Sequence, residues 1–474
     1  MKNRLRVATG AAVMALLIAG CGSNPVPPPV MAHGVAAREP LVNPRPYGTA
    51  DAALGLNVLG AMCRNDPRAN LVLSPSSLAS GLGMAYLGAR GGTARAMAGV
   101  LHLPAAGGQA LAAGLQARSA ALRGLGGPGV TLDASDQVWA DPSLPTERGY
   151  LNAVATGYDA GLAKAPLLTD PERARQEINQ AIATATKGQI PKLLAPGSLD
   201  AHIGWVLTDA LYMHAAWATP FDPLQTSPGP FTTAAGRPVT AQFMLGGEYR
   251  AVTAGGWTAV WLPYRGGKLA MEALLPPAGS AGCALPAAAA LGAMTSRLAS
   301  GQPGTLTRSV EFPKVSLATH ISMKSLLTQL GMGVAFSPAA DFTGLSPQAC
   351  CIGLVEQAAT LGIGEKGTVA SAATAVGIEP TSGRVLPPQV VFDRPYLMLV
   401  TDRVTGEPLF ISRVTNLRHA KLPCAKGCLS LLCSIELVRS SSRSIFRTDV
   451  PHVPRAGSSG SWAGGDPAGV AAAW

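Results

Sequence analysis

The first half of the chain has the spacing of apolar residues and the capping residues that are typical of helices. Ser74 followed by Pro75 supplies an N-cap and an N1 proline, which predicts a helix over residues 76–89. Thr93 predicts the start of a shorter helix over residues 93–102. Both segments have clear start signals, so helices are expected to dominate this region.

Further along the chain, the pattern changes from helices to strands. The run Thr169-Asp170-Pro171-Glu172 still matches a capping box, before an amphipathic segment that Gly188 ends. Beyond it, runs of apolar and β-branched residues predict strands at 205–213, 257–263, 268–275, 310–317, 352–361, 389–392, 396–401 and 409–414. Because helices precede strands and no internal repeat is visible, we predict an α+β fold with a large, mainly antiparallel sheet.

The segment 365–388 fits neither pattern. It contains Gly367-Thr368-Val369-Ala370-Ser371-Ala372-Ala373-Thr374, a run of small, uncharged residues, and it ends in Pro387-Pro388. These side chains are too small to anchor the segment on a core. We therefore expect a long, exposed, mobile loop, and loops of this kind are usually functional. Composition alone leaves a structureless linker or an Ala-rich helix as alternatives.

The N-terminus has the features of an export signal. Three basic residues in the first six precede an apolar run at 13–19 that is too short to span a bilayer. Leu17-Ile18-Ala19-Gly20-Cys21 resembles a bacterial lipobox, in which the Cys21 thiol would take a diacylglyceryl group; an ordinary secretory signal is the alternative. We expect a signal peptide at 1–20, a Pro-rich tether at 21–47, and an exported body that is membrane-anchored through the lipid or secreted.

The net charge of +10 does not indicate nucleic-acid binding. Before residue 42 there are four basic residues and one acidic residue, and from residue 418 onward seven basic residues and three acidic ones. Little excess charge remains on the body, and no basic stripe is interleaved with aromatic residues. The composition therefore argues against a nucleic-acid partner.

The eight cysteines give only a weak disulfide signal. Cys21 is assigned to lipid, Cys350 and Cys351 are adjacent, and three more lie in the tail after residue 418. The tail cysteines lack nearby His and have poor zinc spacing, so we expect neither a metal site nor another cofactor.

Several separated motifs resemble the serpin family in the family's own order. Glu365-Lys366-Gly367-Thr368 with the Ala-rich run after it resembles the reactive-loop hinge, and Phe392-Asp393-Arg394-Pro395-Tyr396-Leu397 resembles the signature behind the loop. Further matches lie at 70–77, 186–190, 207–213, 217, 221, 262–264 and 312–314. The resemblance implies a serpin fold with an exposed reactive-centre loop in a domain at 48–418. The tail 419–474 has no counterpart in the family and is expected to be disordered.

The resemblance also implies a mechanism, in which a serine protease cuts the loop at about 365–388 and the loop enters a sheet as an extra strand. Entry requires small, uncharged side chains on the inward positions. Thr368, Ala370, Ala372 and Thr374 alternate on one face and meet this requirement. The hinge residues that the resemblance assigns are Glu365, Gly367, Thr368, Ala370, Ala372, Ala373 and Thr374.

The scissile bond, counted along the loop as in inhibitory serpins, falls between Thr381 and Ser382. A Thr at this position suggests an elastase-like or subtilisin-like target, whereas cleavage at Arg384 would point to a trypsin-like protease. An enzyme is disfavoured, because G-x-S-x-G, HExxH and P-loop motifs are absent. The G-x-G-x-x-G match at residues 362–367 lies in the hinge and has no following helix.

The residues beneath the sheet depart from the family pattern. Ser74 and Ser77 fit it, but Asp209 and Gln357 stand where serpins commonly have Asn and His. A hydrogen bond could still form if Asp209 is ionised and Gln357 donates. These departures keep a second function open, that of a non-inhibitory serpin-fold binding or carrier protein.

Overall fold

The computed structural model describes residues 28–280, 282–301, 305–368 and 389–417. Helices α1 to α8 are Arg45–Asn65, Pro75–Gly88, Gly91–Val100, Gly108–Arg123, Arg148–Tyr158, Pro171–Ala185, Ala288–Ser300 and Lys324–Leu327. Strands β1 to β17 are Val30–Ala32, Leu71–Leu73, Val130–Ala134, Gln137–Ala140, Leu162–Lys164, Trp205–Ala216, Thr226–Thr232, Pro238–Ala254, Trp257–Pro263, Leu269–Leu275, Leu306–Pro313, Val315–Ser322, Leu354–Gly364, Gly367–Thr368, Gln389–Val391, Tyr396–Asp402 and Pro408–Val414. Short helical turns lie at Pro223–Gln225, Thr328–Met332 and Gly333–Phe336.

Helix α2 begins where its capping residues place it. The Ser74 hydroxyl accepts a hydrogen bond from the Ser77 N–H at 3.2 Å, and Pro75 is the first helical residue. Nearly every side chain from Pro75 to Ala85 is buried. A helix that is apolar and small on all sides can lie in the interior between sheets, and α2 does so.

Two other helix starts differ from the prediction. Helix α6 is capped by Asp170 and not by Thr169, because the Asp170 carboxylate accepts the N–H of the third residue after it at 3.1 Å. Helix α3 begins at Gly91, before Thr93. The Thr93 hydroxyl is buried and accepts the Asp341 N–H at 2.8 Å, so it serves a tertiary contact and does not cap the helix.

The described strands form two sheets. The central sheet has the order β1-β5-β4-β6-β14-β13-β12, with β3 also paired to β6; the second sheet has the order β15-β11-β8-β9-β10-β16-β17-β2, with β7 paired to β8. The strand predicted at 310–317 is in fact two strands, β11 and β12, which belong to different sheets. The break falls at Pro313 and Lys314, since proline has no N–H for a ladder and the Lys314 N–H instead donates to Gln242.

The middle of the central sheet is a parallel seam between β6 and β13. It runs from the pair Val206 and Leu354 to the pair Leu211 and Ala359. Helix α6 packs over the outer face of the seam, against Ala210 and other small apolar residues. Alternate residues of the same strands face inward, toward α2 and the second sheet.

Cys63 and Cys283 form a disulfide that links α1 to the segment before α7. Their Cα atoms are 5.8 Å apart, within the range usual for disulfides, and Cys63 is fully buried. The weak disulfide signal of the sequence was therefore misleading. The two cysteines are 220 residues apart in the chain, and only the fold reveals that they are neighbours.

The described part of the proposed tether lies against the body. Strand β1 pairs with β5 at the edge of the central sheet. Beyond it, the Val35 N–H donates to Asn152 and the Ala37 N–H donates to Thr156, each at 2.8 Å. Among the described residues, no helix has the length and apolar character needed to cross a membrane. The proposed signal peptide, Cys21 and the tail 419–474 lie outside the described residues.

Candidate functional site

The two-residue strand β14 lies between β6 and β13, above their parallel seam. Gly367 pairs with Ala216 of β6, and Thr368 pairs with Ala215 of β6 and with Ile363 of β13. The loop expected from residue 365 onward therefore already belongs to the sheet at these two positions. The remaining predicted loop residues, Ala370, Ala372, Ala373, Thr374, Thr381, Ser382 and Arg384, lie outside the described residues.

Thr368 is fully buried at the entry point of the sheet. Its hydroxyl lies 2.5 Å from the Tyr264 hydroxyl. The Tyr264 ring stacks on Trp217 with centroids 4.5 Å apart, and the Trp217 indole N–H donates to the Gly364 carbonyl at 2.9 Å. Two aromatic rings thus hold both the end of β13 and the first inserted side chain.

Gly367 occupies a position that only glycine fits. Its φ is +149°, and a Cβ there would lie 2.0 Å from the Ala215 carbonyl oxygen. A contact that short is impossible without moving the backbone of β6. The close approach of the two chains explains why the hinge has a glycine at this point.

Glu365 fixes the turn that leads from β13 into β14. Its carboxylate accepts hydrogen bonds from the Lys314 ammonium at 3.0 Å and from the Thr226 hydroxyl at 3.1 Å. Partial burial opposes ionisation, but these bonds and the Lys314 charge together lower the pKa of Glu365 below its ordinary value. The Phe221 N–H also donates to the Glu365 carbonyl at 2.9 Å.

The four residues predicted for the sheet-opening region lie together beneath the seam. The Gln357 amide donates to the Asp209 carboxyl at 2.6 Å and to the Ser74 carbonyl at 2.9 Å. Gln357 and Asp209 are directly opposite each other in the β6–β13 register, so this bond spans the seam itself. Ser74 and Ser77 belong to the start of α2, which therefore contacts both strands.

Sequence reasoning missed a fifth member of this group, Asp136. It lies between β3 and β4, and its carboxyl accepts a hydrogen bond from the Ser77 hydroxyl. Although the residue is only partly buried, burial of the carboxyl raises the pKa of Asp136 to about 7. The feature of the sequence that could have revealed Asp136 is the polar pair Ser135-Asp136, which interrupts a strand pattern.

Burial, together with the nearby Asp136 charge, raises the pKa of Asp209 well above its ordinary value. Among the described residues, the Asp209 Oδ1 atom is buried without a hydrogen-bond partner. The bond from Gln357 therefore does not require the ionised Asp209 that the sequence suggested. A neutral carboxyl also accepts this bond when Oδ2 is its carbonyl oxygen.

Arg118 is a further residue that sequence reasoning missed. Its guanidinium, buried beside α2, makes ion pairs with Asp51 and Glu407, each at 2.7 Å, and also donates to the Ser76 carbonyl at 2.7 Å. This cation helps to hold the start of α2 in place. It also acts against burial to lower the pKa of Asp136.

The middle of the central sheet has two differently paired parts. The two strands β6 and β13 pair with each other along one part of their length and with β14 of the same chain beyond it. The fold and the site thus define a two-sheet α+β protein with a short strand, β14, paired between the two middle strands of its central sheet.

Comparisons with known proteins identify the family. The family described as "Serpin (serine protease inhibitor)" matches residues 49–417. "Putative serpin-Z12" of Oryza sativa subsp. japonica is 30% identical over 84% of this chain and 95% of its own length. "Leukocyte elastase inhibitor" of Bos taurus is 27% identical over 77% of this chain and 98% of its own length. The chain therefore belongs to the serpin family.

A solved structure supports the fold assignment. The structure titled "thyroxine-binding globulin complex with thyroxine" superposes with a TM-score of 0.68 at 22% identity, covering 78% of this chain and 99% of the other. The predicted α+β serpin fold of helices and large sheets is confirmed. Members of the family are mostly protease inhibitors and not catalysts, although some proteins with this fold do not inhibit.

Proposed function

We propose that this protein inhibits serine proteases as a suicide substrate, through cleavage of the loop at about 365–388 and insertion of that loop into the central sheet. The observation that carries the proposal is β14, whose residues Gly367 and Thr368 already occupy the top of the gap between β6 and β13. Insertion then extends an existing strand and needs no new nucleation.

Insertion proceeds down the β6–β13 seam. The parallel pairs from Ala359 with Leu211 to Leu354 with Val206 must part as the new strand advances. Since strand side chains alternate, Ala370, Ala372 and Thr374 follow Thr368 on the inner face. They are small and uncharged, so a strand that carries them can come between β6 and β13 without burying a charge.

The scissile bond of the proposed mechanism is Thr381–Ser382, which favours elastase-like or subtilisin-like targets. Cleavage at Arg384, by a trypsin-like protease, is the alternative. In either case the protease supplies the nucleophilic serine, and the inhibitor supplies the acyl group that becomes the trapped ester.

We further propose that the protein is exported as a lipoprotein anchored through Cys21. The strand register of the central sheet supports an orientation in which the lipid anchor and the reactive loop lie toward opposite ends of the sheet. Val30 of β1 pairs with Lys164 of β5, Lys164 pairs with Ala140 of β4, and Ala140 pairs with Trp205 of β6. Near the other end of β6, Ala215 pairs with Thr368. Ten strand residues, or roughly 33 Å, separate Trp205 from Ala215. The arm from Cys21 thus joins the sheet at the end remote from the reactive loop, which leaves the loop free to meet a protease.

A denaturing gel tests the proposed inhibition. The protein is incubated with elastase, subtilisin and trypsin, and a band at the summed mass of inhibitor and protease is expected with at least one of them. Mass spectrometry of the released C-terminal peptide then distinguishes Thr381 from Arg384. Thr368→Arg should abolish the covalent band and make the protein a substrate, because a charge would enter a fully buried site. Thr368→Val, which keeps the size of the side chain, is the matched control and should still form the band.

The hydrogen-bonded pair Asp209 and Gln357 beneath the seam favours one alternative, a non-inhibitory binding or carrier protein. Asp209 and Gln357 join β6 to β13 through a short hydrogen bond, which could hold the sheet closed after cleavage. Under this alternative, each protease cuts the wild-type loop, retains full activity and forms no covalent band. That result would contradict the inhibitor proposal and support the binding or carrier function.

A further inference from the structure

Two adjacent thiols lie just before β13. Cys350 and Cys351 are the free cysteines within the described ranges, and their Sγ atoms are 2.9 Å apart. Cys350 is exposed, whereas Cys351 is half-buried and borders an apolar cavity between Ala85 of α2 and Leu207 of β6. One thiol therefore meets solvent while the other is sheltered within reach of it.

The backbone holds this pair on both sides. Before it, Ser346 is fully buried, and its carbonyl accepts the Ala349 N–H at 3.1 Å. After it, the Ile352 N–H donates to the Ala335 carbonyl at 3.0 Å. The two thiols are thus presented by an anchored loop.

The surroundings assign the two thiols different roles. Burial, aided by the contact with Cys350, raises the pKa of Cys351 to about 11, while the Lys324 ammonium acts in the opposite direction. Cys351 is therefore protonated at neutral pH. The exposed Cys350 is the thiol that meets an external reagent first, and Cys351 is placed to attack second.

We propose that Cys350 and Cys351 form a reversible redox site that exchanges with low-molecular-weight disulfides such as oxidised glutathione. The Cys350 thiolate attacks one sulfur of the disulfide, breaks its S–S bond and releases one thiolate. Cys351, once it has lost its proton, attacks the Cys350 sulfur of the mixed disulfide and releases the second thiolate. The protein loses two electrons and two protons, and the reagent is reduced to two thiols. This proposal does not depend on protease inhibition.

The bond that forms should be labile. Consecutive Cα atoms are about 3.8 Å apart, below the usual 4.4–6.8 Å of disulfides, so the ring is strained and readily reduced. Cys63–Cys283 provides a comparison inside the same molecule, since its Cα atoms are 5.8 Å apart and Cys63 is buried. Strained, exposed disulfides have higher reduction potentials than such structural ones.

The test uses the full chain in glutathione buffers of increasing oxidised fraction. Each sample is quenched with iodoacetamide and mapped by peptide mass spectrometry, which separates the 350–351 peptide from the cysteines of the tail. We expect this peptide to lose two hydrogens and to escape alkylation. Its bond should reopen at a dithiothreitol concentration about tenfold or more below that needed for Cys63–Cys283.

Two variants test the order of attack. Cys351→Ser should retain one glutathione on Cys350, whereas Cys350→Ser should take up glutathione much more slowly. The proposal is overturned if both wild-type thiols are alkylated at every ratio, if glutathione stays on Cys350 in the wild type, or if the two variants react equally fast.

Discussion

Replacing Asp136 with Asn removes one of the two carboxyls beneath the closed seam and should change how the stability of the protein depends on pH. In the unfolded chain the Asp136 carboxyl loses its proton near the ordinary pKa of 3.8, but in the folded protein it does so only near 7. Between these values the native state binds the extra proton. The contribution of Asp136 to stability is therefore largest below about pH 4 and is lost as the pH rises through 7.

The size of this effect follows from the same two values. Folding raises the pKa of Asp136 from 3.8 to about 7, and each pKa unit corresponds to about 1.36 kcal/mol. The wild type therefore loses up to about 4 kcal/mol of unfolding free energy by pH 8. Asn keeps an oxygen that accepts the Ser77 hydroxyl and has no charge to bury. Asp136→Asn should therefore match the wild type at pH 4 and exceed it by up to about 4 kcal/mol at pH 8.

Urea unfolding followed by tryptophan fluorescence, at pH 4 and at pH 8, measures this difference. Asp159→Asn is the matched control, because Asp159 is an exposed acid with a φ of +55° that Asn adopts readily. That variant should follow the wild type at both pH values. If Asp136→Asn were no more stable than the wild type at pH 8, or gained equally at both pH values, the carboxyl would not be held protonated as described.

Three further changes test other parts of the structure. Gly367→Ala should expel β14 from the sheet, because the new Cβ would lie 2.0 Å from a backbone oxygen; faster proteolysis of the loop would report this, and an unchanged rate would contradict it. Arg118→Leu should lower the unfolding free energy by about 3–5 kcal/mol, since Asp51 would lose its buried cation; an unchanged urea midpoint would refute this role. Cys63→Ala combined with Cys283→Ala should cost about 2–5 kcal/mol, seen as a lower melting temperature, and equal melting would show that the crosslink contributes nothing.

The hydrophobic pattern predicted the elements that carry strong local signals. Strand β9 has the bounds that its apolar run indicated, and α2 begins at its Ser74 cap. The pattern failed at the change of sheet near Pro313, where one apolar run continues through two strands. Periodicity reports which residues are apolar, but not which sheet they join.

Of the candidate site, the family motifs located Ser77 and Gln357, whereas Asp136 and Arg118 were found only in the fold. Asp136 meets Ser77 across 59 residues of chain, and Arg118 meets Asp51 across 67, so neither contact leaves a local pattern. Strand β14 was missed for a different reason. Its two residues pair on both sides through the backbone, and small uncharged side chains look the same in a loop and in such a strand.

The thermal stability of the protein after loop cleavage tests the central claim most directly. The loop is cut within residues 369–388 by a protease that is then removed, and the melting temperatures of cut and intact protein are compared. If the cut segment continues from Thr368 down the seam, it adds a fully paired strand, and the melting temperature should rise by about 10 °C or more. Equal or lower melting of the cut protein would contradict insertion and leave the family assignment without the proposed mechanism.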